Sequence, residues 1–332
     1  TFVVGDADQS IYSFRAADFT ILMNFQDDFG DSLPDDDTRT MVKLEENYRS
    51  TSNILDVANH IIENNTERID KVLRATRGEG EAILCYKAED ELHEADFVVG
   101  QIRNLEFQHP ELKWGHFAIL YRSNAQSRSF EEVLTRYSIP YQVVGGLRFY
   151  DRREIKDVLA YLRAIANPAD TVSIKRVINV PRRGVGKGTI DKLDQATQTL
   201  GNIPLWEILS DETSVKTLAG RSAKGVLEFA GLIKKYRGQL DQSKGSEIIQ
   251  ELLEDSGYLD ALKAEGTYEA LERGGNVQEL YNAVLQFEEE NEDSSLIAFL
   301  ANASLASDLD DVNEAGNSVS LMTLHSSKGL EF

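Results

Sequence analysis

"NSVSLMTLHSSKG", residues 317–329, decides the fold. Its first half carries β-forming apolar residues and its second half is a polar, glycine-ended turn, so it reads as a strand that delivers side chains to a loop. The chain before it is of another kind. From Pro168 onward helical periodicity dominates, in "TIDKLDQATQTL" (189–200), "AKGVLEFAGLIKKYRGQL" (223–240), "SEIIQELLEDSGYLDALKA" (246–264), "NVQELYNAVLQFEEE" (276–290) and "SLIAFLANASLA" (295–306), with Gly, Ser and Asn clusters between them. Further upstream, short β-rich runs alternate with helical ones. "TMVKL" (40–44), "EAILCYKA" (81–88), "HFAILYR" (116–122) and "YQVVG" (141–145) read as strands. "STSNILDVANHIIENN" (50–65), "DELHEADFVVGQIRNLEF" (90–107), "NAQSRSFEEVLTRY" (124–137) and "DRREIKDVLAYLRAIAN" (151–167) read as helices. Such alternation predicts an α/β fold, a parallel sheet with covering helices. The strand near residue 318 then returns to that sheet, so the helical stretch is expected to be an all-α insertion within it.

Bulk properties narrow the class. The 332 residues are 41% hydrophobic and 27% charged, and exceed one ordinary core. The lone cysteine, Cys85, excludes an internal disulfide framework and favours a reducing cytoplasm. No apolar run approaches a bilayer span of roughly 20 residues, so no membrane association is expected. The net charge of -21, from 35 basic and 56 acidic residues, argues by itself against nucleic-acid binding. Local patterning weakens that objection: acid gathers in "QDDFGDSLPDDD" (26–37) and "FEEENED" (287–293), while "GGLRFYDRREIK" and "NVPRRGVGKGT" are basic. The histidines show no metal-cage spacing, and no structural metal is assigned.

Three strand ends carry chemistry. In "GDADQSIYSFRAA" (5–17) the apolar run Phe2-Val3-Val4 reads as a buried strand opening onto a Gly-Asp turn, where α/β sheets expose ligand-binding groups. Gln9 can donate to a phosphate oxygen and accept from water at once, Phe14 offers a face for base stacking, and Arg15 adds charge. The alternative is a plain turn with Asp6 and Asp8 as caps and Tyr12 and Phe14 in the core. In "LEENYRSTSNIL" (44–55), Tyr48 and Arg49 precede a helix capped by Ser50 or Thr51; they suit an aromatic ligand and a phosphate, or form an exposed loop. In "TLHSSKGLEF" (323–332), His325 and Lys328 can reach backbone phosphates and Glu331 a ribose hydroxyl. A fourth stretch, "NVPRRGVGKGTIDKL" (179–193), is no P-loop, since Pro181 stands where Gly is required and Gly188 follows Lys187. Its Gly-x-Gly turn, Gly184 to Gly186, is either a phosphate-facing helix entry or a plain inter-helix turn.

Taken in order, these stretches closely resemble motifs III, IV and V of superfamily 1 DNA helicases of the UvrD, PcrA and Rep type, and "YRSNAQSRSFEEVL" (121–134) and "YQVVGGLRFYDRREIKD" (141–157) extend the likeness along the chain. The resemblance implies RecA-like P-loop NTPase domains: a tail of the first domain in 1–38, the second in 39–166, an inserted duplex-DNA-contacting helical subdomain in 167–314, and the return strand with motif V in 315–332. It implies Gln9 as γ-phosphate sensor, Phe14 as base-stacking aromatic with Tyr12 and Arg15 coupling the two, Tyr48 stacking on adenine, Arg49 as arginine finger and Glu331 on the ribose. Arg182, Arg183, Gly184 and Gly186 would hold duplex DNA. Phe14 and Ala16 depart from the Trp and Gly of many relatives, which implies weaker base stacking.

The activity so implied is ATP-dependent 3′ to 5′ unwinding, on single-stranded DNA and single-strand/duplex junctions, with ATP and Mg²⁺ held mainly by residues outside this chain. Repair or replication proteins would be its partners. Neither a Walker A lysine nor an acidic Walker B strand occurs in these residues. The start at Thr1 without methionine and the end within a strand-turn signature lead to the expectation of a fragment, inactive alone. The helicase part of a RecB or AddA kind of helicase-nuclease and a non-catalytic DNA-binding module are the alternatives.

Overall fold

The computed structural model describes residues 3–12, 18, 20–29, 41–66, 68–308 and 316–330. The chain divides into two compact units, Thr1–Ala88 and Glu89–Phe332.

In the first unit α1 (Thr20–Phe29) starts where the Asp18 carboxylate accepts from the Thr20 amide at 2.9 Å. Two short strands, β1 (Glu46–Asn47) and β2 (Arg74–Ala75), flank α2 (Ser52–Ile62) and pair in parallel, Glu46 opposite Arg74 and Asn47 opposite Ala75. Asn59 of α2 clamps the approach to β2: its amide donates to the Leu73 carbonyl at 3.0 Å and accepts from the Leu73 amide at 3.2 Å. Among the described residues of this unit, Leu55 is the only buried apolar side chain.

The second unit begins with α3 (Glu91–Gln108), capped by Asp90, whose carboxylate accepts from the His93 amide at 2.7 Å. It continues through β3 (Ala118–Tyr121), α4 (Ser127–Arg136), β4 (Tyr141–Val143) and α5 (Arg153–Ala166). Among the described residues there follow α6 (Thr171–Val177), α7 (Lys187–Thr199), α8 (Leu205–Ser210), α9 (Glu212–Ala219), α10 (Ala223–Arg237), α11 (Gly245–Asp255), α12 (Tyr258–Glu265), α13 (Tyr268–Glu290) and α14 (Leu296–Asp308). Then β5 (Val319–Thr323) enters between β3 and β4, parallel to both, with Ala118 opposite Ser320 and Tyr141 opposite Val319. All five β5 residues are buried, as a central parallel strand covered on both faces requires. Two cores result. One packs Val99 of α3 and Val133 and Leu134 of α4 on Ile119 and Leu321 of the sheet; the other gathers Leu162, Phe229, Tyr236, Ile249, Leu280 and their neighbours among the helices.

Several local expectations are corrected. Residues 3–4, 41–44 and 81–88 form no strand, and Val4 is 76% exposed, with Ile83 and Leu84 exposed as well. A β-prone run becomes a strand only where a neighbour completes its ladder, and among the described residues none pairs with these. The helix expected over 50–65 is shorter, Ser52–Ile62, and its Ile54 and Ile61 are exposed. The stretch 246–264 is two helices, because Gly257 takes a left-handed conformation between them. The last long helix starts eight residues before Asn276, running straight through Gly274 and Gly275.

Candidate functional site

The turn at the start of the chain is built by one carboxylate. Asp6 caps a short 3-10 turn, Ala7–Gln9, its Oδ1 accepting from the Asp8 amide at 3.1 Å and its Oδ2 from the Gln9 side-chain amide at 2.7 Å. The Lys71 ammonium donates to Asp6 Oδ1 and lies 3.2 Å from Asp8 Oδ2, and the Arg68 guanidinium lies 3.3 Å from Asp8. Burial alone would raise the Asp6 pKa, but the hydrogen bonds from Lys71 and Gln9 and the Lys71 charge outweigh it and hold the carboxyl below its usual range. Asp6 is thus the cap that a plain turn needs and, at the same time, the group that aims Gln9. Tyr12 is half-buried just beyond. Phe14 and Arg15 lie outside the described residues, as does Glu331.

The second cluster rests on Asn47, to which residue-type reasoning gave no task. From the end of β1 its side-chain oxygen accepts from the amides of Arg49 at 3.0 Å and Ser50 at 2.8 Å, folding the chain into a turn that enters α2. Arg77 donates to the Arg49 carbonyl at 2.7 Å from the far side. Tyr48 and Arg49 are thereby presented outward, Tyr48 being 70% exposed. The Tyr48 hydroxyl donates to Glu46 at 2.5 Å, which raises its pKa. Thr51 occupies the N-cap position of α2 without a side-chain cap bond. An Asn at a strand end, four residues before the helix N-cap Thr51, was the available signal.

In the second unit the turn at 179–186 is held from every side. Asn179 Oδ1 accepts from the amides of Arg183 at 2.8 Å and Val185 at 3.1 Å, and Val185 is buried. The Arg183 guanidinium donates to the carbonyls of Val180 at 3.1 Å, Ser256 at 3.2 Å and Val177 at 3.3 Å, and stacks near Tyr161 and Phe229. Tyr161, whose hydroxyl donates to the Val180 carbonyl, has its pKa pushed up to about 12, chiefly by burial. On α10, Gly225 permits this approach, since a Cβ there would sit 2.1 Å from the Arg183 carbonyl oxygen. Arg183 therefore shapes the turn, whereas Arg182 is exposed, and Gly184, with φ of +71°, swings the chain toward Gly186 at the N-terminus of α7. At the end of β5, Thr323 accepts from the Ser326 amide at 3.1 Å, setting a turn that carries half-buried His325 and exposed Lys328.

A buried polar network, invisible in the sequence, joins α4 to α13. Arg128 is 1% exposed and bonds Glu279 at 2.6 Å and Glu132 at 2.8 Å; burial works against its charge, and the two carboxylates more than reverse this, raising its pKa. Arg152 donates to Ser127 at 2.7 Å, to the Asn124 carbonyl at 2.9 Å and to Asn276 at 3.0 Å.

Among the described residues, no group of three or more His, Cys, Asp or Glu is arranged to hold a metal ion, and no helix is long and apolar enough to cross a membrane. Among the described residues, Asp6 and Asp8 are already paired with Lys71 and Arg68, so these two carboxylates do not fit a Mg²⁺ site.

The family described as UvrD-like helicase C-terminal domain matches residues 42–332, and that described as UvrD/REP helicase N-terminal domain matches residues 1–30. The chain is 41% identical over 332 residues to the ATP-dependent DNA helicase PcrA of Staphylococcus epidermidis and 42% identical to that of Staphylococcus aureus. Each alignment takes in 99% of this chain and 44% of the relative, so the chain spans less than half the length of the curated relatives it matches.

Proposed function

Because this chain belongs to the UvrD-like helicase family, we propose that it is the middle part of an ATP-dependent 3′ to 5′ DNA helicase, working in the cytoplasm on single-stranded DNA and single-strand/duplex junctions. Repair or replication proteins are the partners this reading carries with it. The observation that supports it most is the Asn47 turn, which presents an exposed tyrosine and an exposed arginine side by side at a strand end.

In this reading residues 1–38 close a first RecA-like domain, 39–166 and 315–332 make the second, and 167–314 are its helical insertion. ATP is the substrate. Gln9 reads its γ-phosphate, Tyr48 stacks on the adenine, and Arg49 balances charge that develops on the phosphoryl group, a role worth roughly 10³ to 10⁵ in rate elsewhere. Glu331 takes the ribose. Nucleotide binding closes Gln9 and Arg49 on the same phosphate, and hydrolysis releases them, which moves DNA bases past Phe14 with Tyr12 and Arg15 as the link. His325 and Lys328 meet backbone phosphates of the single strand. Arg182 and the backbone N–H groups from Gly186 onward meet duplex phosphates, on a turn whose shape Arg183 and Gly184 maintain.

The test is strand separation by the intact protein. A duplex with a 3′ single-stranded tail should be unwound when ATP is supplied and a duplex with only a 5′ tail should not; unwinding of the 5′-tailed duplex alone would overturn the assigned polarity, and unwinding of neither would overturn the activity.

A further inference from the structure

Gln9 and the Arg49 turn are far apart in sequence, yet a continuous set of bonds joins them. From Gln9 the path runs to Asp6 at 2.7 Å and from Asp6 to the Lys71 ammonium. Lys71 stands three residues before β2, in a segment fixed on both sides. Arg68 donates to the Lys71 carbonyl at 2.9 Å, and Asn59 holds Leu73 by both backbone groups. β2 then pairs with β1, and the β1 residue Asn47 shapes the turn bearing Arg49. The Lys71 side chain is largely buried, at 18% exposure, between two carboxylates that would otherwise repel each other beside Gln9. A surface ion pair contributes little and moves freely, whereas a screened, multiply bonded one fixes geometry.

We propose that Lys71 is a positioning residue for ATP turnover: in the closed arrangement its bond to Asp6 holds the Gln9 side chain in the orientation in which it and Arg49 address one phosphate. This rests on the roles given above to Gln9 and Arg49. Lys71 itself touches neither nucleotide nor DNA. Its loss lets Asp6 and Asp8 repel, frees the Asp6 carboxylate to swing, and takes the Gln9 amide with it.

The experiment is steady-state, single-stranded-DNA-stimulated ATP turnover by the intact protein, in Lys71→Ala, Lys71→Arg, Gln9→Ala and the Lys71→Ala/Gln9→Ala pair. Lys71→Ala should lower kcat roughly 10- to 100-fold, the range expected when a catalytic group is displaced by about an ångström, with KM for ATP and affinity for single-stranded DNA nearly unchanged. Lys71→Arg, which keeps the charge and donors, should recover most of the loss. In the Gln9→Ala background, Lys71→Ala should add less than about twofold, because the two act as a unit. Multiplying effects in the pair, or a Lys71→Arg variant as poor as alanine, would overturn the proposal. So would a kcat unchanged in Lys71→Ala. If Lys71→Ala fails to fold, Lys71→Gln, which keeps a donor without the charge, is put through the same comparison. A Gln9→Ala variant with wild-type turnover would instead remove the sensor role of Gln9, and is recognised by that single variant.

Discussion

The two units hold their functional side chains by opposite means. In Thr1–Ala88 a single described apolar side chain, Leu55, is buried, and the shape of each candidate site comes from directed polar bonds: Asp6 to Gln9, Lys71 to Asp6, Asn47 to the Arg49 and Ser50 amides. In Glu89–Phe332 two packed cores place the elements first, and the turn at 179–186 is clamped against them by Arg183 and by the missing side chain of Gly225. Hydrogen bonds in a thinly packed unit contribute about 1 kcal/mol each and open locally, while packed cores open only together. In the proposed division of labour, groups that would move with each nucleotide sit where local rearrangement costs little, and groups that would grip duplex DNA sit on a packed frame.

The largest expected effect lies in the second unit. Arg128→Met removes the buried cation shared by the half-buried Glu132 and Glu279, and should lower stability by about 3 kcal/mol, the low end of the cost of breaking a buried ion pair, since both carboxylates keep some contact with water. Chemical denaturation followed by the fluorescence of Trp206 in the helical core reads it. A loss under about 1 kcal/mol would mean that the network is dispensable and the frame is held by packing alone.

Asn47→Ala is the counterpart in the first unit. It removes two bonds to backbone amides, about 1–2 kcal/mol locally. Hydrogen exchange at the Arg49 and Ser50 amides should quicken while the amides of β5 keep their protection. Quickened exchange across β5 as well would erase the contrast between the units.

The smallest effect has the opposite sign. Gly274 and Gly275 lie inside α13 with nothing within 4 Å of where a Cβ would go, so Gly274→Ala should stabilise the second unit by roughly 0.5–1 kcal/mol through helix propensity alone. A destabilisation there would show that the helix needs a bend at this point.

How much was legible follows the same contrast. The alternation from α3 through α5 and the return of β5 were readable, because long periodic segments and a β-prone run with Val319, Leu321 and Met322 signal their environment directly. The strands expected at 40–44 and 81–88 were misread because β-propensity records fit to a neighbouring strand, which local sequence does not contain. The Gly274-Gly275 pair hid the first part of α13, since packing of Val277 and Leu280 into the core outweighs the cost of two glycines. Within the candidate sites, the side chains that would meet ligands were nameable from residue type and motif order. Their supports were not: Lys71 acts 65 positions from Asp6, and Arg128 151 positions from Glu279.

The most direct measurement is single-stranded-DNA-stimulated ATP turnover by the intact protein carrying Arg49→Ala. Turnover should fall by roughly 10³-fold or more, with affinity for single-stranded DNA retained. Turnover within a few-fold of wild type would contradict the assignment of the Asn47 turn to the nucleotide, and with it the proposed coupling of ATP to DNA.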